Sequence, residues 1–306
     1  MAFVPFVPLR VLSSYTLLEG AIDPKAIARL ASERGFPAIA ICDRNGLYGA
    51  VPFAAAAKDK GVQPLIGCVL AVARPERGGA APGFGPAAPT IDWLALYAQD
   101  EAGYENLCHL VSRAHLDRPM ELPAHVALAD LVGRTDGLIA LTGAGEGALA
   151  RLLAEGQSEA AAVYAARLEE LFPQRLYIEI ARRGDAVEDA AEDALIELGY
   201  ARDLPLVATN PASYDQPGFH AAHDAMLCIA AARLGRIGAR RGGANAQRCA
   251  TTSVLASASG RSANSSAIIG PDLSQISGEE RARSSAAMCV AAAMHSMASW
   301  AAWKPG

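Results

Sequence analysis

The sequence has little of what the common catalytic and nucleic-acid-binding modules require. Its 306 residues carry 27 Lys and Arg against 32 Asp and Glu, a formal net charge of −5. That balance gives no footprint for wrapping nucleic acid, because phosphate binding needs clustered cations. No direct DNA binding is expected of this piece. Six cysteines, at 42, 68, 108, 228, 249 and 289, form no CxxC pair and no zinc-ligand spacing. Cys42, Cys68 and Cys228 lie in or beside apolar runs and read as buried, reduced thiols. The opening stretch MAFVPFVPLR lacks a basic region and an unbroken apolar core, and no later run reaches membrane-spanning length. A cytoplasmic protein without a membrane association is expected. There is no GxSxG, no Walker loop and no Ser-His-Asp order. Gly143-x-Gly145-x-Gly147 follows a strand and precedes a helix, but it lacks the rest of a dinucleotide fingerprint and reads as a turn.

What is present is apolar substance: 52% hydrophobic residues, enough to bury a full-sized core. Short β-branched runs alternate with Ala-rich amphipathic stretches, the pattern of a parallel α/β architecture. Phe6 to Leu12 reads as a first strand. Asp23-Pro24 is a helix start, an N-cap carboxylate followed by proline at the first helical position, and Gly35 stops that helix. Strands are expected at 38–42, 63–72, 93–98, 138–142, 176–180 and 206–209. Helices are expected at 51–60, 101–114, 123–132, 147–153, 158–171 and 186–198. The count is roughly seven βα units. Residues 74–89 hold too much Gly and Pro for either element and read as an exposed loop. Beyond Arg233 the sequence turns to Ala, Ser, Gly and Arg without sustained periodicity. Residues 1–232 therefore read as one domain and 233–306 as a disordered tail, translated out of the ancestral frame or joined from elsewhere.

Two early segments carry a specific resemblance. Leu9-Arg10-Val11-Leu12-Ser13-Ser14-Tyr15-Thr16-Leu17-Leu18-Glu19-Gly20-Ala21 and Asp43-Arg44-Asn45-Gly46-Leu47-Tyr48-Gly49-Ala50 are similar to HLRVHSxYSLLxGA and TDHGNLFGA. Those patterns open the N-terminal PHP (polymerase and histidinol phosphatase) domain of bacterial DNA polymerase III alpha subunits. Further matches occur in the same order at 63–68, 101–107, 141–143, 176–180 and 204–210, and at Ala222-His223-Asp224. The resemblance stops at Cys228-Ile229. It implies a distorted (β/α)7 barrel with functional groups at the C-terminal strand ends, a rule that Asp43 and Asn210 obey.

The family's PHP sites bind divalent metals through His nitrogens and Asp or Glu oxygens. Carried over position by position, that ligand set fails. Arg10 and Leu12 stand where the family has His-x-His, Pro8 stands at a further upstream His, and Arg44 comes after Asp43 where the family has Asp-His. Val69 replaces a Glu, Trp93 and Arg183 replace His residues, and Ser213 closes the late segment Asn210-Pro211-Ala212-Ser213 where the family ends on His. No catalytic residue and no metal is expected. Asp43, Asn45 and Asn210 remain as a remnant cleft. Arg10 and Arg44 either neutralise Asp43 in place of metal or point to solvent; both readings stay open.

The surviving histidines add no site. His109 and His115 are six apart and do not share the i, i+4 face of a helical ligand pair. His220 and His223 share a face with only Asp224 beside them and read as packing or capping residues. His295 stands alone. The resemblance implies the N-terminal portion of a DNA-directed DNA polymerase, whose palm carboxylates use magnesium beyond this piece. Alone, the chain is expected to be a structural and interaction module that lacks nucleotidyl transfer. Implied partners are the rest of the polymerase III core, including the proofreading exonuclease subunit. The alternatives are a residual phosphoesterase or 3′–5′ exonuclease, and a product that does not fold stably.

Overall fold

The structure, a computed structural model, describes residues 6–75, 89–118 and 121–238, with side chains described through residue 230. Local signals explain most of its elements. Helix α1 (Pro24–Glu33) starts where the Asp23 side chain accepts from the Lys25 N–H, and buries Ile27, Leu30 and Ala31. Gly35 then takes φ +71, a conformation that costs a glycine little. Strand β1 (Ala38–Arg44), helix α2 (Ala50–Asp59) and strand β2 (Gln63–Ala73) complete a βαβ unit, with β1 and β2 parallel.

The next strand departs from the all-parallel expectation. Strand β3 (Ile91–Ala98) pairs antiparallel with β2, Gly67 opposite Tyr97 and Ala73 opposite Ile91. A parallel return needs a crossover, usually a helix, whereas antiparallel neighbours can be joined directly, and the Gly- and Pro-rich composition of this connection disfavours a helix. Most of that connection, residues 76–88, lies outside the described residues. Helix α3 (Glu101–Leu116) comes next, its first turn capped by Asp100. The helix expected at 123–132 is absent; Val126–Ala127 (β4) instead adds to β2 beside Val72 and Ala73, and a 3-10 turn covers Leu128–Leu131. A strand pairing on a sheet edge outweighed the weak helical propensity of so short a stretch.

Strands β5 (Leu138–Leu141), β6 (Leu176–Ile180) and β7 (Leu206–Ala208) continue the sheet, β5 antiparallel to β3 and the last three mutually parallel. Helices α4 (Ala148–Ala154), α5 (Ser158–Leu171) and α6 (Ala186–Ala201) cover it. The sheet order is β1-β2-β3-β5-β6-β7. The expected first strand forms only isolated bridges, yet it closes the curl. Pro8 and Val11 carbonyls accept from the Ala40 and Cys42 N–H groups, while Leu12 and Arg10 exchange bonds with Ala212 on the other side. Helix α7 (His220–Gly238) ends the described chain, so the boundary drawn after residue 232 falls within it. The remainder of the tail lies outside the described residues.

Period-2 alternation sorts the core into an inside and an outside. Ala40, Cys42, Leu65, Val69, Ala95, Tyr97, Ile139, Leu141, Tyr177 and Val207 pack together inside the curl. Ile39 and Ile41 face α1 and α2, while Leu70, Leu96, Leu138 and Ile178 face the helices of the other half. Tyr97 ties the inside to the closing segment by donating its hydroxyl to the Leu9 carbonyl at 2.8 Å.

Candidate functional site

The inward phase of each strand, continued by two residues at its mouth, delivers the site. Cys42 leads to Arg44, Leu141 to Gly143, Tyr177 to Glu179 and Val207 to Thr209. In antiparallel β3 the inward series runs back from Ala95 to Trp93. These residues meet. Glu179, fully buried, accepts from Arg10 Nη1 at 3.1 Å, from the Gly143 N–H at 3.0 Å and from Thr209 Oγ1 at 2.6 Å. Arg10 also donates Nη2 to Glu146 at 3.2 Å. Glu146 takes a second guanidinium from Arg44 Nη2 at 2.6 Å, and Arg44 Nε donates to Glu19 at 2.5 Å. The Arg44 guanidinium carbon lies 4.3 Å from the Trp93 ring centroid. That cation–π contact adds to the two ion pairs around a guanidinium whose Nη1 is buried without a hydrogen-bond partner.

The result is an alternating chain, Glu179–Arg10–Glu146–Arg44–Glu19, laid across the strand mouths. Burial alone would lower the Arg10 pKa, but Glu179 and Glu146 leave it above its ordinary value. Arg44 behaves likewise, with burial opposed by Glu146 and Glu19. Burial raises the Glu146 carboxyl, yet Arg44 and Arg10 more than reverse this and hold it at about 2. Both arginines are permanent cations in any case.

Neither open reading of these arginines survives intact. They do not point to solvent: Arg10 is 4% exposed, and the Arg44 side chain 16%. Nor are they hydrogen-bonded to Asp43. That carboxylate lies on the opposite phase of β1 and accepts from the Ser13 N–H, Ser13 Oγ and Thr16 Oγ1, each at 2.7 Å. Its role is to anchor the base of the 13–20 loop. Asn45 also leaves the cleft. Its Nδ2 donates to the Ala124 carbonyl and its Oδ1 accepts from the Ala71 N–H, pinning β2 and the connection to β4. Asn210 stands half-buried just past β7, beside Thr209.

Other positions fall where packing puts them. Leu12 and Val69 are buried core residues. Arg183 pairs with buried Glu188. Ser213 gives its carbonyl to the Ala21 N–H. The Gly143–Gly147 segment is a turn, and it carries Glu146 to the mouth. Gly147 is required there, since a Cβ would lie 1.7 Å from the Thr142 carbonyl oxygen. His109 is exposed, and His115 Nε2 lies 2.8 Å from the Asn45 carbonyl oxygen. His220 pairs with Asp224, whereas His223 is buried against Tyr214 with Nε2 2.8 Å from the Glu19 carbonyl oxygen. His295 lies outside the described residues. Cys42 and Cys68 are buried as expected, but Cys228 is exposed on α7. Sequence reading missed Glu146 altogether, and noted Glu19 and Glu179 only inside matched segments. Strand phase was the usable signal for Glu179; no local signal marks Glu146, which a turn delivers.

The model of the PHP domain family matches residues 8–183, more than half of the chain. The chain belongs to the PHP domain family. Among curated proteins, this PHP chain is similar to the DNA polymerase III subunit alpha of Caulobacter vibrioides (strain NA1000 / CB15N). Identity is 43% over 230 residues, covering 73% of this chain and 19% of that protein. The corresponding subunit of Escherichia coli (strain K12) is 32% identical over 225 residues, covering 73% of this chain and 18% of its own. The PHP chain thus spans about a fifth of the length of the curated relatives it matches. Among solved structures, a putative metal-dependent phosphoesterase from Bifidobacterium adolescentis is similar at TM-score 0.46 and 12% identity, over 67% of this chain and 86% of that one.

The metals that the family resemblance implies do not suit the donor set present here. A divalent centre needs neutral imidazole nitrogens or unspent carboxylate oxygens that converge on one point. The mouth instead places a guanidinium between Glu146 and Glu179 and a second between Glu146 and Glu19. Among the described residues, no group of three or more His, Cys, Asp and Glu is arranged to hold a metal ion.

Proposed function

We propose that this chain is the N-terminal PHP portion of a replicative DNA polymerase III alpha subunit, acting as a metal-free structural and interaction module. The reading rests on one observation. Two arginines take up the carboxylates at the strand mouths, so the groups that hydrolysis would need are spent on one another. A hydrolytic metal site must leave a position for water, and a guanidinium fixed by paired carboxylates leaves none. The similarity to alpha subunits over the PHP region supports membership of a replicative polymerase complex. Its partners in this reading are the rest of the polymerase III core, including the proofreading exonuclease subunit, in the cytoplasm. No helix among the described residues is long and apolar enough to cross a membrane.

The test is metal content after purification in manganese, combined with turnover of a chromogenic phosphoester and co-elution with the exonuclease subunit. The expected outcome is no bound metal, no turnover and a stable complex. Stoichiometric metal with turnover would overturn the scaffold reading and favour a residual phosphoesterase.

A further inference from the structure

The 13–20 loop is fixed at its base and held at its tip by different groups. At the base, Ser13 and Thr16 hang from Asp43, the Arg44 N–H donates to Thr16 Oγ1, and Gly20 packs so closely on Ser13 that a Cβ would lie 1.9 Å from its carbonyl oxygen. At the tip, Leu17 is 79% exposed and Leu18 adopts φ +66, a left-handed conformation that side chains other than glycine rarely take. The adjoining residue, Glu19, closes the turn by donating its N–H to the Thr16 carbonyl at 3.1 Å, as Gly20 does at 2.8 Å, and has two long-range tethers besides. Its carboxylate takes Arg44 Nε at 2.5 Å, and its main-chain carbonyl oxygen lies 2.8 Å from His223 Nε2. His223 is on the first turn of α7, its ring tilted 47° to that of Tyr214 with centroids 4.9 Å apart. Among the described residues this helix otherwise touches the domain lightly, leaving Leu227, Cys228 and Ile229 exposed.

We infer that the 17–19 tip is a charge-locked strap joining the barrel mouth to helix α7, with Glu19 as the lock and Arg44 and His223 as its positioning residues. Arg44, itself seated over Trp93, holds the Glu19 side chain inward. Together with the two turn bonds to the Thr16 carbonyl, this holds Leu18 in its unfavourable conformation and presents the Glu19 carbonyl outward to His223. The arginine chain thereby acts beyond the mouth, setting how α7 leaves the domain. Releasing either tether lets Leu18 relax to an ordinary conformation, and the carbonyl turns away from the helix. Because both tethers act through one residue, their effects are not independent.

Hydrogen exchange of the full chain tests this, read by mass spectrometry in peptides covering 14–20, 217–230 and, as a control, 176–180. Arg44→Met is expected to speed exchange at least tenfold in both the 14–20 and 217–230 peptides, with 176–180 unchanged. His223→Phe, which keeps the ring packing and removes the donor, is expected to speed 14–20 as well. The double variant should be no faster than the faster single one, and Arg44→Lys should restore slow exchange in 217–230. Should Arg44→Met fail to fold, Glu19→Gln breaks the same ion pair at a half-exposed position and carries the same expectation. Acceleration confined to 14–20 with α7 unchanged, or additive effects in the double variant, would overturn the inference.

Discussion

Arg10 Nη1 lies 3.1 Å from Glu179 Oε2, joining the closing segment to β6 across 169 positions of sequence. Both side chains are out of solvent, so this pair closes the curl of the sheet at its mouth. Buried ion pairs add little over an apolar substitute, but losing one partner strands the other.

Arg10→Met should therefore destabilise the chain by ~3–5 kcal/mol, because Glu179 remains buried with its principal cation gone. Chemical denaturation of the two proteins side by side measures it. Arg10→Lys keeps the charge but cannot span Glu146 and Glu179 with two nitrogens, and should fall between them.

Removing both partners should cost less than removing one. The pair Arg10→Met with Glu179→Leu is expected to recover at least ~1 kcal/mol relative to Arg10→Met alone, since no unpaired charge is left inside. A double variant less stable than either single one would show that Gly143 and Thr209 depend on the Glu179 carboxylate more than Arg10 does.

Acid should weaken the fold through Glu146. Its carboxyl is held at about 2 against an ordinary value of 4.5, so its contribution is complete above the unfolded value. That contribution is lost as pH falls from about 5 towards 2, where the folded state must finally protonate. Urea midpoints between pH 7 and pH 3 should decline, and Glu146→Gln should flatten that decline while lowering stability at pH 7.

Alkali should act through a different group. Burial pushes the Cys42 thiol from 9.0 to about 12, with Arg10 opposing. A raised acid favours the folded state below its unfolded pKa, so stability should begin to fall above about pH 9, where the unfolded chain ionises first. Cys42→Ala should remove part of that slope. In the native protein, Cys228 should react with a thiol reagent while Cys42 and Cys68 do not.

Asp43→Asn tests the loop anchor. An amide keeps one oxygen for the Ser13 N–H and Thr16 Oγ1 but sets its NH2 against Ser13 Oγ, which must reverse from donor to acceptor while already accepting from the Tyr15 N–H, and it loses the carboxylate charge. A loss of ~1–3 kcal/mol is expected, read from thermal melts.

Much of the architecture was legible in local chemistry. Asp23-Pro24 announced α1, the β-branched runs announced the strands, and apolar content announced a full core. That Arg10, Leu12 and Val69 offer no metal-donor atom was equally plain, since residue type alone decides it. Local reading failed where pairing decided the outcome. The antiparallel β3 and the strand at Val126–Ala127 depend on which edge is open, not on the residues' own preferences. Asp43 looked like the centre of the cleft because it survived from the family pattern, yet it lies on the outer phase of its strand.

Composition and motif thus determined by themselves that this is an α/β chain of PHP type and which of its side chains carry donors or acceptors, because residue type fixes what an atom can donate or accept. Only the tertiary structure decided what Arg10 and Arg44 do. Glu19, Glu146 and Glu179 come from a loop tip, a glycine turn and a strand end, and only closure of the sheet brings them to two arginines. Attraction between buried charges depends on distance and on excluded water, and neither quantity exists until the chain has folded.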